Sequence, residues 1–124
     1  MAPSEEYHLS HFLTGKSEHT LALFNHFINS FSTMDNVEIV PLKSMIAIDN
    51  GHKRVAYITQ LGKNFIHVVF PFKREYPDNL CFQKIAQVPG QQQFNHHFRM
   101  LNTNDVNDEV MGFMKLAYFE EALS

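Results

Sequence analysis

The histidines are where chemistry would begin in this sequence. There are eight of them, and two stand side by side in "FNHHFRML", residues 94–101. Adjacent residues of a β-strand point to opposite faces of a sheet, so on a strand His96 and His97 cannot grip one metal ion together. His96 would then share a face with Phe94, Phe98 and Met100 and reads as a packing residue with a hydrogen-bond partner. His97 would share the other face with Asn95 and Arg99. An imidazole two positions from a guanidinium is a combination suited to holding an anion or moving a proton.

His67 is the second polar group out of pattern, because it interrupts the apolar run "FIHVVF". Burying an imidazole without a partner costs on the order of 1–3 kcal/mol, so it must be bonded or face a cavity. Tyr57, on the preceding apolar segment, is a candidate neighbour if the strand register allows. Other motifs carry less. His8 and His11 in "HLSH" are spaced to share a helix face, but two further zinc ligands at a sensible spacing do not follow, and no metal site is expected. "TGKS" lacks the upstream glycine of a phosphate-binding loop, no Gly-x-Ser-x-Gly elbow occurs, and Cys81 sits in no catalytic context. The pairs Asp108-Glu109 and Glu120-Glu121 read as solvated charges at a helix cap and outer face. No cofactor is implied.

Charge is unevenly distributed. Residues 37–101 hold eight basic side chains (Lys43, Lys53, Arg54, Lys63, Lys73, Arg74, Lys84, Arg99) against the four acids Glu38, Asp49, Glu75 and Asp78. The rest of the chain has Lys16 and Lys115 against nine acids, and the whole carries a formal charge of −3. A central basic region flanked by acidic ends would draw anions to its exposed surface without needing a sequence motif.

The elements that must position these residues can be read from periodicity. Leu9, Phe12 and Leu13 predict a short helical turn within an N-terminal extension, residues 1–16. Ser17 is a good N-cap for an amphipathic helix over 18–33, with Leu21, Phe24, Phe27, Ile28 and Phe31 on one side. "VEIVPL", "SMIAI", "RVAYITQ", "NFIHVVFPF" and "FNHHFRML" read as strands, with Asn-Gly at residues 50–51 marking a tight hairpin. "LCFQKIAQV" fits either a short helix or an irregular strand. A final helix carries Val106, Val110, Phe113, Met114, Ala117 and Tyr118 at steps of three and four. The expected architecture is a single α+β domain spanning 1–124. An antiparallel sheet of four or five strands in meander order would have the N-terminal and C-terminal helices packed on one face. At 124 residues and 44% hydrophobic content the chain can build one core, and no segment is long and apolar enough to cross a bilayer. The single cysteine excludes an internal disulfide and points to a cytoplasmic protein.

The segments "HFLTGKSEHTLALFNHFI", "KSMIAI" and "FNHHFRMLNTNDVNDEVMGFMKLAYFEEAL" resemble a small bacterial domain of unknown function often labelled a predicted transport protein. The matching positions are Phe12, Gly15 and Lys16, then Lys43, then His96, His97 and Arg99, and finally Asp105, Asp108, Glu109, Ala117 and Tyr118. The resemblance implies the fold more than an activity, and it implies a domain that occurs both alone and appended to larger proteins. Together these readings favour a non-enzymatic binding module for an anionic ligand, nucleic acid or a small molecule, on the basic side of the sheet. Arg99 would hold the anion, His97 and Tyr57 would hydrogen-bond it, His67 would line the pocket, and Lys43, Lys53 and Arg54 would add electrostatic support. The alternatives are a small hydrolase using a histidine as acid or base, and a homodimer formed through an exposed Phe-rich sheet face.

Overall fold

A computed structural model describes residues 7–121. Three helices and a six-stranded antiparallel sheet form one α+β unit: α1 (Leu9–Leu13), α2 (Glu18–Ser32), β1 (Glu38–Pro41), β2 (Ile46–Asp49), β3 (Arg54–Gly62), β4 (Phe65–Phe72), β5 (Lys84–Gln87), β6 (Phe94–Met100) and α3 (Asp108–Leu116). A 3-10 turn, Thr103–Asp105, precedes α3, and a π-helical turn, Ala117–Glu121, follows it. No helix among the described residues is long and apolar enough to cross a membrane. Of the expected N-terminal extension, residues 1–6 lie outside the described residues.

The strand order is β1-β2-β3-β4-β6-β5, so the meander runs through β4 and then breaks. There are six strands, not four or five, because the ambiguous segment around residue 85 becomes a short edge strand. Only Lys84–Gln87 pair with β6, and the two end residues are exposed. One apolar side chain on the core side, Ile85, leaves no periodicity that could have distinguished strand from helix.

Capping side chains fix where the elements meet. The Ser17 hydroxyl accepts from the Thr20 amide at the start of α2 and donates to Asn64 Oδ1 at 2.7 Å. Thr20 Oγ1 in turn donates to the Gly62 carbonyl at 2.8 Å and accepts from the Asn64 amide at 2.9 Å. The "TGKS" stretch is therefore the start of a helix clamped to the β3–β4 turn, where Asn64 adopts φ 61°. In the β2–β3 hairpin, Gly51 has φ +94° and Asn50 Oδ1 accepts from the amides of His52 and Lys53. Asn50 Nδ2 also donates to the Tyr118 carbonyl at 2.9 Å, while the Tyr118 hydroxyl donates to Asn36 O at 2.7 Å, which ties the end of the chain to both turns. Helix α3 starts later than its apolar periodicity implies. Asn107 is its N-cap, and Val106 closes the 3-10 turn instead.

All three helices pack against one core. It joins Leu23, Phe24, Phe27 and Phe31 of α2, Val110 and Met114 of α3, and Ile66, Val68, Phe70 and Phe72 of β4, with Leu9, Phe12 and Leu13 of α1 partly buried against it. Strand alternation then assigns the opposite, open face. On it lie Phe65, His67, Val69 and Pro71 of β4, Asn95, His97 and Arg99 of β6, and Tyr57 of β3, by their pairing register.

Candidate functional site

The two histidines of "HH" part as strand geometry requires. His96 is fully buried on the helix side, where Phe72, Phe82 and Tyr76 surround its ring with centroids 4.9–5.6 Å away. Its Nδ1 lies 2.8 Å from the Phe94 carbonyl, and its Nε2 accepts from the Tyr76 amide at 3.0 Å. Those partners define the tautomer: Nδ1 carries the hydrogen and Nε2 the lone pair. Burial holds the pKa below the ordinary histidine value, so the ring is neutral, and it fastens the 73–83 loop to the sheet.

His97 faces the open side and meets His67. Val69 is the direct partner of His97 and Arg99 that of His67, so the two imidazoles are diagonal neighbours across β4 and β6. Their Nε2 (His67) and Nδ1 (His97) atoms are 2.9 Å apart, a hydrogen bond that carries a single hydrogen. Both pKa values lie below the usual value. For His67 burial is the main cause, followed by the proximity of His97 and Arg99; for His97 burial acts first and Lys84 second.

Arg99 completes the group. Its guanidinium carbon sits 4.4 Å from the centre of the Phe65 ring, a cation–π arrangement. The Phe65 ring in turn lies against Gly62, its direct partner across the β3–β4 hairpin, where any Cβ would run into it. Arg99 Nε and His67 Nδ1 are both buried and have no hydrogen-bond partner among the described residues. Because Arg99 and His67 are directly opposed across the strands, these two orphaned nitrogens belong to one patch.

Beside the pair, on the His97 side, a pocket of about 280 Å³ opens over Val69. Tyr57, Thr59 and Asn95 line it with hydrogen-bonding groups, together with Met45 and Gln93. Thr59 joins Tyr57 there by plain strand alternation, and the β3–β4 register shift between Ile58 and Gln60 turns Gln60, the partner of His67, toward the same face.

Tyr57, His67, His97 and Arg99 are thus brought together on one face. Lys43, Lys53 and Arg54 are not part of that group. Lys43 is exposed in the β1–β2 turn, Arg54 is exposed at the start of β3, and Lys53 lines a separate pocket with Asp35, Asn50, His52 and Tyr118. Lys84, not singled out as a site residue in the sequence reading, is the cation that pairs directly with His97. Strand alternation in β6 makes Asn95 legible as a same-face neighbour of His97. Alternation in β3 likewise makes Thr59 legible beside Tyr57, whereas the bulge that presents Gln60 and the Gly62–Phe65–Arg99 stack have no sequence signal. The sheet phenylalanines Phe70, Phe72 and Phe98 lie under the helices. Phe65 is half-buried beneath Arg99.

Of the other candidates, the N-terminal histidines stand apart from this patch, whereas Cys81 lines a separate pocket together with Arg99, Asp105 and Glu109. His8 and His11 are exposed, with ring centroids 5.8 Å apart, and no cluster of three or more metal-ligating side chains occurs among the described residues. Burial and then the Glu109 carboxylate push the Cys81 thiol up to about 12, which keeps it protonated. No family model matches the chain, and neither the curated proteins nor the solved structures give a significant match.

Proposed function

We propose that this chain is a non-enzymatic binding module that holds a small anionic molecule on the open face of its sheet. The observation that carries the reading is the patch of Arg99 Nε and His67 Nδ1, two buried polar atoms left without partners on directly paired residues. A buried guanidinium N–H without an acceptor costs on the order of 1–3 kcal/mol, and an oxyanion offers the acceptor that would recover it. Lys84 lends a second positive charge, and the pocket lined by Tyr57, Thr59 and Asn95 accommodates the uncharged remainder of such a ligand.

The spacing of the cations favours a small molecule over a nucleic acid. Arg99 and Lys84 flank the imidazole pair, while Lys43 and Arg54 sit in or beside turns. A nucleic-acid track draws on a run of phosphate contacts along one surface. A hydrolase is favoured less, because the neighbour that orients His97 is another imidazole, where an acid–base histidine normally leans on a carboxylate or carbonyl. On this reading the likeness to the bacterial domain labelled a predicted transport protein is a likeness of fold, and the protein works in the cytoplasm.

The test is a titration with inorganic phosphate and, separately, with labelled single-stranded and duplex oligonucleotides at low salt, observed through the histidine ring signals. The expected outcome is that phosphate shifts the His67 and His97 signals, leaves His96 unmoved, and loses its effect in Arg99→Gln. Phosphate that moves none of these signals at low salt would remove the anion site, and a tighter response to the oligonucleotides would replace the small ligand by nucleic acid.

A further inference from the structure

The contact between the two imidazoles has a chemical consequence for any anion that binds beside them. One hydrogen occupies the 2.9 Å gap between His67 Nε2 and His97 Nδ1, so the neutral pair has two forms. If His67 donates, its own Nδ1 is a bare lone pair beside Arg99. If His97 donates, His67 Nδ1 bears a hydrogen and His97 Nε2 is bare. In either form one of the two remaining ring nitrogens presents a lone pair, which repels an oxyanion. A single added proton removes that lone pair without breaking the shared hydrogen bond. The pair is then a cation with an N–H at both remaining nitrogens, and His67 Nδ1–H and Arg99 Nε–H belong to directly opposed residues.

We propose that this face binds oxyanions together with one proton, taken up by the His67–His97 pair. The inference rests on the anion site proposed above and adds its regulation: the site is weak when the pair is neutral and strengthens as the pair charges. The groups facing the pair explain why the proton arrives with the ligand and not before it. On the same face are the cations Arg99 on β6 and Lys84 on β5, then Tyr57, Thr59 and Gln60 on β3, Phe65 on β4 and Asn95 on β6, while the carboxylates Asp105 and Glu109 share a separate pocket with Arg99. His96 turns to the far side of β6. Without a ligand, burial first and then the neighbouring cations make both rings resist protonation. An oxyanion reverses the sign of that local field. Linkage then requires that ligand binding raise the proton affinity of the pair and that protonation raise ligand affinity by the same factor.

Calorimetry on the full chain with sulfate tests this, since sulfate does not itself titrate between about pH 5 and about pH 8 whereas histidine does. Titrations in two buffers of different ionisation enthalpy give the number of protons taken up. The expected result is an uptake approaching one proton near the histidine range, with affinity rising toward tenfold per unit as pH falls. The double variant His67→Gln/His97→Gln is expected to lose the uptake and the pH slope. Should that variant fail to fold, the ring signals of the unaltered chain decide the matter, because His67 and His97 must be the rings that charge when sulfate is added. Sulfate binding with no proton uptake and a flat profile would overturn the coupled proton and leave the anion site standing. Uptake located at other histidines would overturn it equally. No sulfate binding at any pH would remove both proposals.

Discussion

The two faces of strand β6 treat the same side chain in opposite ways. On the helix side His96 is enclosed by aromatic rings, and each ring nitrogen has a backbone partner, so its tautomer is fixed and its charge excluded. On the open side His97 and His67 are bonded to each other, share one hydrogen and leave His67 Nδ1 buried without a partner. Both arrangements depress the pKa through burial. What separates them is completeness. A fully satisfied buried imidazole is a structural strut, whereas the open-side pair and the neighbouring Arg99 each keep a buried nitrogen without a partner, which is what the proposed anion would supply.

The sharpest way to break this contrast is to truncate His96. His96→Ala leaves the Tyr76 amide and the Phe94 carbonyl without their partner and opens space among Phe72, Tyr76 and Phe82. The combined loss of hydrogen bonds and packing is expected to cost about 2–4 kcal/mol, measured by urea unfolding. His97→Ala, one residue away, is expected to cost less, about 1 kcal/mol, because its ring is part-exposed and the one hydrogen bond lost is that with His67. Equal costs for the two variants would erase the distinction between strut and site.

Acid provides the next test. The folded pKa values of His96, His67 and His97 all lie below the reference value of 6.5. The unfolded chain therefore takes up protons at a pH where the folded chain does not. The associated stability is fully present above pH 6.5 and is lost as pH falls through that value toward and past the depressed folded pKa values. His96 dominates, at no more than about 1.4 kcal/mol per pH unit, since the open-side pair is more exposed to screening. Unfolding free energies measured from neutral pH down to about pH 5 should decline, and the decline should shrink in His96→Gln. Stability that held or rose on acidification would show that His96 is charged in the folded state.

How much of this was legible beforehand follows from the range of each interaction. Alternation along one strand is local, so the separation of His96 from His97 and the grouping of His97 with Arg99 could be read directly from "FNHHFRML". The helix at 18–32 was equally plain, since its N-cap and apolar stripe both lie within the segment. The partnership of His67 with His97 spans thirty positions in sequence and depends on β4 pairing with β6 across a skipped strand, which no local pattern encodes. Lys43, Lys53 and Arg54 entered the basic surface by regional charge counting, which cannot tell a face from the turns at its ends. The edge strand β5, with one core-side apolar residue, gave too short a pattern to classify, and with it went the significance of Lys84.

The finest test of the contrast lies where no charge is altered. Gly62 has no side chain, and the Phe65 ring occupies the space a Cβ would take while carrying the Arg99 guanidinium over it. Gly62→Ala must displace that ring, and the guanidinium loses a cation–π support worth about 0.5–1 kcal/mol at an exposed site. Phosphate affinity should then fall by about two- to fivefold, by the usual conversion of such energies to equilibrium constants. Phe65→Leu should do the same while leaving Gly62 tolerant of alanine, because a leucine can move aside where a flat ring cannot. The His96 ring signal should stay unchanged in both variants, since the perturbation is confined to the open face. A shift at His96 would mean that the two sides of β6 are mechanically coupled, and strut and site would then be one unit.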